Sequence, residues 1–111
     1  MSDSFKIRQN DRKEPLARTL QDSLGAAVDL TGATVKFLMR KKREATAPLK
    51  VNVAAVVVAA ASGQVRYDWA AGDTDTVGTY KAEFEVTFAD GRKQSFPNSG
   101  YLLVLVTQEL G

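Results

Sequence analysis

The segment TYKAEFEVTF, Thr79 to Phe88, constrains the fold more than any other part of the chain. Tyr80, Ala82, Phe84, Val86 and Phe88 fall at every second position, and Lys81, Glu83, Glu85 and Thr87 fill the places between them. A period of two turns successive side chains to opposite faces of an extended strand, so this segment must bury one face and wet the other. A helix would scatter the same five residues around its circumference. The pattern recurs upstream. In VRYDW, Val65, Tyr67 and Trp69 alternate with Arg66 and Asp68. In ATVKFLMR, Val35, Phe37 and Met39 alternate with Lys36 and Arg40, and only Leu38 breaks the polar face.

Turn residues divide these strands. Asp90-Gly91 is a strong hairpin signal, with KQSF returning as the partner of the long strand. Pro97 and Gly100 bracket a break before YLLVLV, and DLTG, Asp29 to Gly32, supplies a side-chain cap and a glycine for a tight turn. Short strands are expected near Phe5–Arg8 and Leu16–Leu20, the second opening after Pro15, where a strand start tolerates a missing N–H. Between Arg43 and Gly63 the signals conflict, because alanine favours helix while the cluster Val51, Val53, Val56, Val57 and Val58 favours strand. With no capping box ahead of it, the stretch reads as two strands. Its apolar run from Val53 to Ala61 is under half of what a bilayer-spanning helix needs, so membrane insertion is not expected.

Short strands separated by turns about every ten residues, with no amphipathic helix, predict an all-β chain: one antiparallel sandwich of seven to nine strands spanning residues 1–111. The approach to the long strand narrows this to an immunoglobulin-like sandwich. Such domains carry a tyrosine two residues ahead of the cysteine that pins the sheets together, and here Tyr80 precedes Ala82 by two. The chain has no cysteine, so burial and backbone hydrogen bonds must hold the sheets, as suits a protein made in a reducing cytoplasm. The start MSDSFKIRQNDRKEP has no apolar run of the kind a secretory signal needs.

The segments VDLTGATVKFLMR (Val28 to Arg40), GQVRYDW (Gly63 to Trp69) and DTDTVGTYKAEFEVTFADGRKQSFP (Asp73 to Pro97) together resemble the N-terminal domain of the phage baseplate upper protein family, an immunoglobulin-like module of tailed-phage virions. The opening FKIRQNDRKEPLARTLQDSLGAAVDLTG follows the same order, and the resemblance covers about Phe5 to Val106. Asn10 departs from it, standing where a glycine is expected before the aspartate. The resemblance implies assembly, with other phage structural proteins as partners and many copies or a homo-oligomer in the particle. A baseplate or tail-tip adaptor is the leading expectation, a capsid-surface decoration protein the nearest rival, and a carbohydrate-binding host-recognition module the alternative of a different class. YLLVLV and VAAVVVAAA are apolar at both parities, which suits either covered central strands or a surface buried in a neighbour.

Residue chemistry excludes more than it proposes. With no histidine, the commonest general base and the commonest transition-metal ligand are both absent, and no nucleophile elbow or phosphate loop appears. Glu83 and Glu85 share a strand face with Lys81, a solvated arrangement with no sign of an acid–base pair. Neither an enzyme nor a cofactor is expected. DTDTVG places Asp73, Asp75 and Gly78 at the first, third and sixth positions of a calcium loop, but Val77 and Phe84 fall where ligands are required. Structural roles are therefore expected for Asp75, Gly78 and Tyr80 as a tyrosine corner, and for Trp69 and Phe84 as core aromatics. Arg40, Lys41, Lys42 and Arg43 form the one dense basic run. Such a run more often caps an exposed, solvated hairpin end; if it meets a partner, then without interleaved aromatics and with a net charge of only +2 it suits an acidic protein neighbour better than nucleic acid. Trp69, Tyr67 and Tyr101 would make a sugar-stacking platform only if they shared an outer face, and the parity of Tyr67 and Trp69 with Val65 argues against it.

Overall fold

The structure, a computed structural model, describes residues 3–43, 48–98 and 100–110. Its elements follow the period-two pattern. The strands are β1 (Asp3–Arg8), β2 (Leu16–Thr19), β3 (Thr34–Lys41), β4 (Val51–Ala54), β5 (Val56–Ala59), β6 (Gln64–Tyr67), β7 (Gly78–Thr87), β8 (Lys93–Phe96) and β9 (Leu102–Thr107). In β7 the buried residues are Tyr80, Ala82, Phe84 and Val86, and in β3 they are Val35, Phe37 and Met39, with Leu38 half-buried on the outer side. Each alternating apolar set identified in the sequence faces the interior.

The larger sheet runs β1-β9-β7-β3-β4, with β8 also beside β7, and the smaller runs β2-β6-β5. Their inner faces meet through aromatic rings: Phe37 of β3 stacks on Tyr67 of β6 with centroids 4.4 Å apart, and Trp69 stands edge-on to both. The order β9-β7-β3-β4 over β2-β6-β5 is the arrangement of an immunoglobulin-like sandwich, with β7 as the strand that bears the corner tyrosine.

One part of the sequence expectation is corrected. The sandwich is not wholly antiparallel, because β1 pairs parallel with β9, from Asp3 opposite Leu102 to Arg8 opposite Thr107. Either direction would bury Phe5 and Ile7 beside Val104, so the pattern of side chains could not choose between them. Connection chooses instead. Residues 9–15 must carry the chain from the end of β1 across the sandwich to the start of β2 in the other sheet, and so β1 points towards that end, as β9 does.

The break at Pro97 also has a clear form. β8 pairs with the second half of β7 and β9 with the first half, on the same side of it. They amount to one long return strand interrupted after Phe96, where the Phe96-Pro97 peptide is cis. Three residues turn the β7–β8 hairpin: Phe88 N–H donates to Arg92 O, Gly91 N–H donates to Phe88 O, and Gly91 has φ +89°.

The ambiguous alanine-valine stretch forms two strands in different sheets. β4 pairs with β3 in the larger sheet and β5 with β6 in the smaller, so the chain changes sheets at Ala55. Residues 44–47 of that stretch lie outside the described residues; among the described ones the helical leaning of the alanines survives only as a single 3-10 turn, Ala60–Ser62, ended by Gly63 at φ +68°.

Candidate functional site

The tyrosine corner is present and more elaborate than the sequence suggested. Tyr80 is fully buried, and its hydroxyl donates to Thr76 O at 2.7 Å, tying the start of β7 to the loop before it. Gly78 opens β7 over this ring, where a Cβ would stand 3.7 Å from Tyr80 Cε1. Burial lifts the Tyr80 phenol above its ordinary value of 10.0. Asp75 accepts from Lys50 Nζ at 2.7 Å and from Thr76 Oγ1 at 2.9 Å, and its carbonyl accepts from Gln9 Nε2. The two bonds to the carboxylate, that from Lys50 first and then that from Thr76, hold the carboxyl below 3.8.

Asp73 is occupied as well. Its Oδ2 accepts from Tyr67 Oη at 2.5 Å and from Ala70 N–H at 2.8 Å. Burial, and then the Asp73 bond, push the Tyr67 phenol far above its usual range. The two aspartates that invited a calcium reading thus serve separate structural bonds, and no group of three or more ligating residues could hold a metal ion among the described residues. Asn10 takes the left-handed conformation, at φ +67°, that a glycine would have supplied. Asparagine tolerates this region, and its Nδ2 donates to Glu109 Oε1 at 3.0 Å.

Trp69 and Phe84 are core residues, each within 6 Å of the Phe37 ring centroid. The Trp69 indole N–H is buried with no hydrogen-bond partner among the described residues. Tyr67 and Trp69 are thus removed from any sugar platform. Only Tyr101 reaches the surface, half-buried in a cleft of about 270 Å³ lined also by Leu38, Arg40, Lys81 and Glu83, with Lys81 Nζ 5.9 Å from the ring centroid.

The basic run is split by its own geometry. Arg40 and Lys41 end β3, with Arg40 paired across the ladder to Lys81 and half-buried on the outer face. Lys41, Lys42 and Arg43 are exposed at the end of the sandwich, where Lys42 N–H donates to Thr79 O. Successive residues of a strand turn to opposite faces, so Arg40 and Lys41 are not presented together.

The surface that stands out is the flank formed by β4 and β5, which are edge strands of the two sheets. From Val51 to Gly63 the chain carries no charged side chain, and Val53, Val56 and Val58 are 47%, 41% and 52% exposed. Val56 and Val58 lie on the outer face, as period-two alternation dictates. Val53 is different: it shares the inward parity of Val51, which is buried, yet among the described residues no further strand follows β4 to cover it. Natural sheet edges are usually guarded by charge or proline, and neither is present in this run. The opposite flank is closed by charge: the Arg18 guanidinium on β2 grips Asp3 of β1 with two bonds and donates also to Ser4 O. The sequence flagged the apolar run but gave no sign of the Arg18–Asp3 clamp, whose partners lie in different strands and different sheets. By contrast YLLVLV is a covered strand, since β9 lies between β1 and β7 with Leu103 and Leu105 half-buried.

No helix among the described residues is long and apolar enough to cross a membrane. No protein-family model matches the chain, and no curated protein matches it. Among solved structures it is similar to the crystal structure of CopC from Methylosinus trichosporium OB3b, at 18% identity and a TM-score of 0.51, over 96% of this chain and 87% of that one. At that identity the likeness bears on the fold and on nothing beyond it, and it agrees with a β-sandwich of this size.

Proposed function

We propose that this domain is a non-enzymatic structural subunit of a tailed-phage virion, made in the host cytoplasm and working by docking against neighbouring subunits. The supporting observation is the uncharged β4–β5 flank, with three exposed valines and a bare strand edge. A neighbour seated there would bury apolar surface and satisfy unpaired backbone groups together, and binding only the folded form it would stabilise the domain as well. The sequence resemblance to the baseplate upper protein module makes the tail tip the first location and the capsid surface the second. Modest contacts of this kind add up across a symmetric particle.

Quantitative mass spectrometry of gradient-purified particles tests this reading. A fixed, multi-copy ratio of this chain to the major capsid protein is expected. Absence of the chain from particles that assemble and infect normally would overturn it. Whether the copies lie at the tail tip or on the capsid follows from immunogold labelling of the same particles. The glycan reading retains Tyr101 alone of its three aromatics; binding of the isolated domain to a glycan array, abolished by Tyr101→Ala, would favour it instead.

A further inference from the structure

The occupant of the bare flank can be specified further. The geometry points to a second copy of this chain, its β4 added antiparallel to β4 so that the two larger sheets become one across a two-fold axis. This rests on the docking reading and names its first partner. Ala55 N–H donates to Val35 O, which fixes the alternation of the β3–β4 ladder. Val51 and Val53 therefore turn their backbone groups towards β3, while Asn52 and Ala54 turn theirs outward, where a further strand would bond them.

Three features favour a copy over a foreign strand. Val53 has inward parity but lies 47% exposed, so the interior is unfinished on this side, and a second β4 brings a Val53 with the same need. Antiparallel self-pairing sets a segment against its own reverse, which is penalised when like charges fall opposite one another, and Val51 to Gly63 has none. Outside the β4–β5 flank the strand edges carry charge: Lys6 and Arg8 are exposed on β1, the Arg18–Asp3 pair lies on the β2 side, and Lys93 is exposed on β8.

Sedimentation velocity of the full chain, at concentrations bracketing the micromolar range, tests the inference. A monomer–dimer equilibrium with a dissociation constant in that range or tighter is expected, together with slowed hydrogen exchange at Asn52 and Ala54 as concentration rises. Val53→Lys, which sets a charge against its own copy, and Asn52→Pro, which removes an outward N–H, should each weaken the dimer at least tenfold. Circular dichroism checks that both variants remain folded, and the exchange measurement on the unaltered chain decides the matter without them. A chain that stays monomeric throughout, or a dimer that leaves the Asn52 and Ala54 amides unprotected, would overturn the inference. A monomer still found in particles would remove self-pairing and leave the docking reading intact, whereas a dimer absent from particles would do the reverse.

Discussion

Gly63→Ala should destabilise this domain far more than Gly91→Ala, although both glycines have left-handed backbones, at φ +68° and +89°. A left-handed residue other than glycine costs ~1–2 kcal/mol, and the loss of unfolded-state freedom on replacing glycine returns ~0.4–1 kcal/mol. Gly91 has nothing within 4 Å of an added Cβ, so its variant should lose about 1 kcal/mol from those two effects alone. At Gly63 the same Cβ would lie 2.7 Å from Val28 O and 2.8 Å from Leu20 O, contacts that carbon and oxygen do not sustain. The backbone must give way. The bonds that hold it are Leu20 N–H to Gly63 O, Gly63 N–H to Ala60 O and Val28 N–H to Leu20 O, at 2.8, 3.1 and 2.9 Å. Weakening two of the three at ~1 kcal/mol each brings the expected loss for Gly63→Ala to about 3 kcal/mol. Urea denaturation followed by Trp69 fluorescence measures both variants. Equal losses would refute the reasoning, since they would mean that the contacts drawn around Gly63 do not constrain it.

Other perturbations separate the remaining parts of the account. Tyr80→Phe removes one neutral hydrogen bond to Thr76 O and should cost ~1 kcal/mol, while Tyr67→Phe removes a bond to the Asp73 carboxylate and should cost ~2 kcal/mol; urea midpoints should rank them in that order. Asp29, Asp75 and Asp90 are all held below their ordinary value of 3.8, Asp29 chiefly by the Thr31 hydroxyl and Asp90 chiefly by the Arg92 N–H. Depressed carboxyls contribute stability that is present above 3.8 and lost as pH falls through their folded values, so the melting temperature should decline in that acid window, less steeply in Asp29→Asn. Tyr67 and Tyr80, raised above 10.0, give the opposite limb: their contribution is complete below that pH and lost as it rises, read as phenolate absorbance appearing together with unfolding. Replacing Arg40, Lys41, Lys42 and Arg43 together by Ser should leave incorporation into particles unchanged at physiological salt, because Arg40 and Lys41 turn to opposite faces of β3 and the run is not presented whole; a loss of incorporation would return the run to the docking machinery.

Local pattern was legible in the sequence to the extent that side-chain parity decides structure. Tyr80, Phe84, Phe37 and Trp69 are buried because a half-wet strand has only one place for them, and the Asp90-Gly91 turn follows from the angles glycine alone adopts freely. The direction of β1 was not legible, since parallel and antiparallel pairing bury Phe5 and Ile7 alike and the choice lies in where residues 9–15 must lead. Nor were the Arg18–Asp3 and Lys50–Asp75 bonds, whose partners are brought together only by folding. Val53 shows the same limit from the other side. Its parity says interior, and only the strand order reveals that β4 is the last strand and leaves it exposed.

The most direct measurement is a cryo-electron-microscopy reconstruction of the virion proposed to carry this chain. Many ordered copies of the sandwich are expected, each with its β4 edge continued by another strand and Val53 covered. Copies whose β4–β5 flank faces solvent, or particles that lack the sandwich altogether, would contradict it.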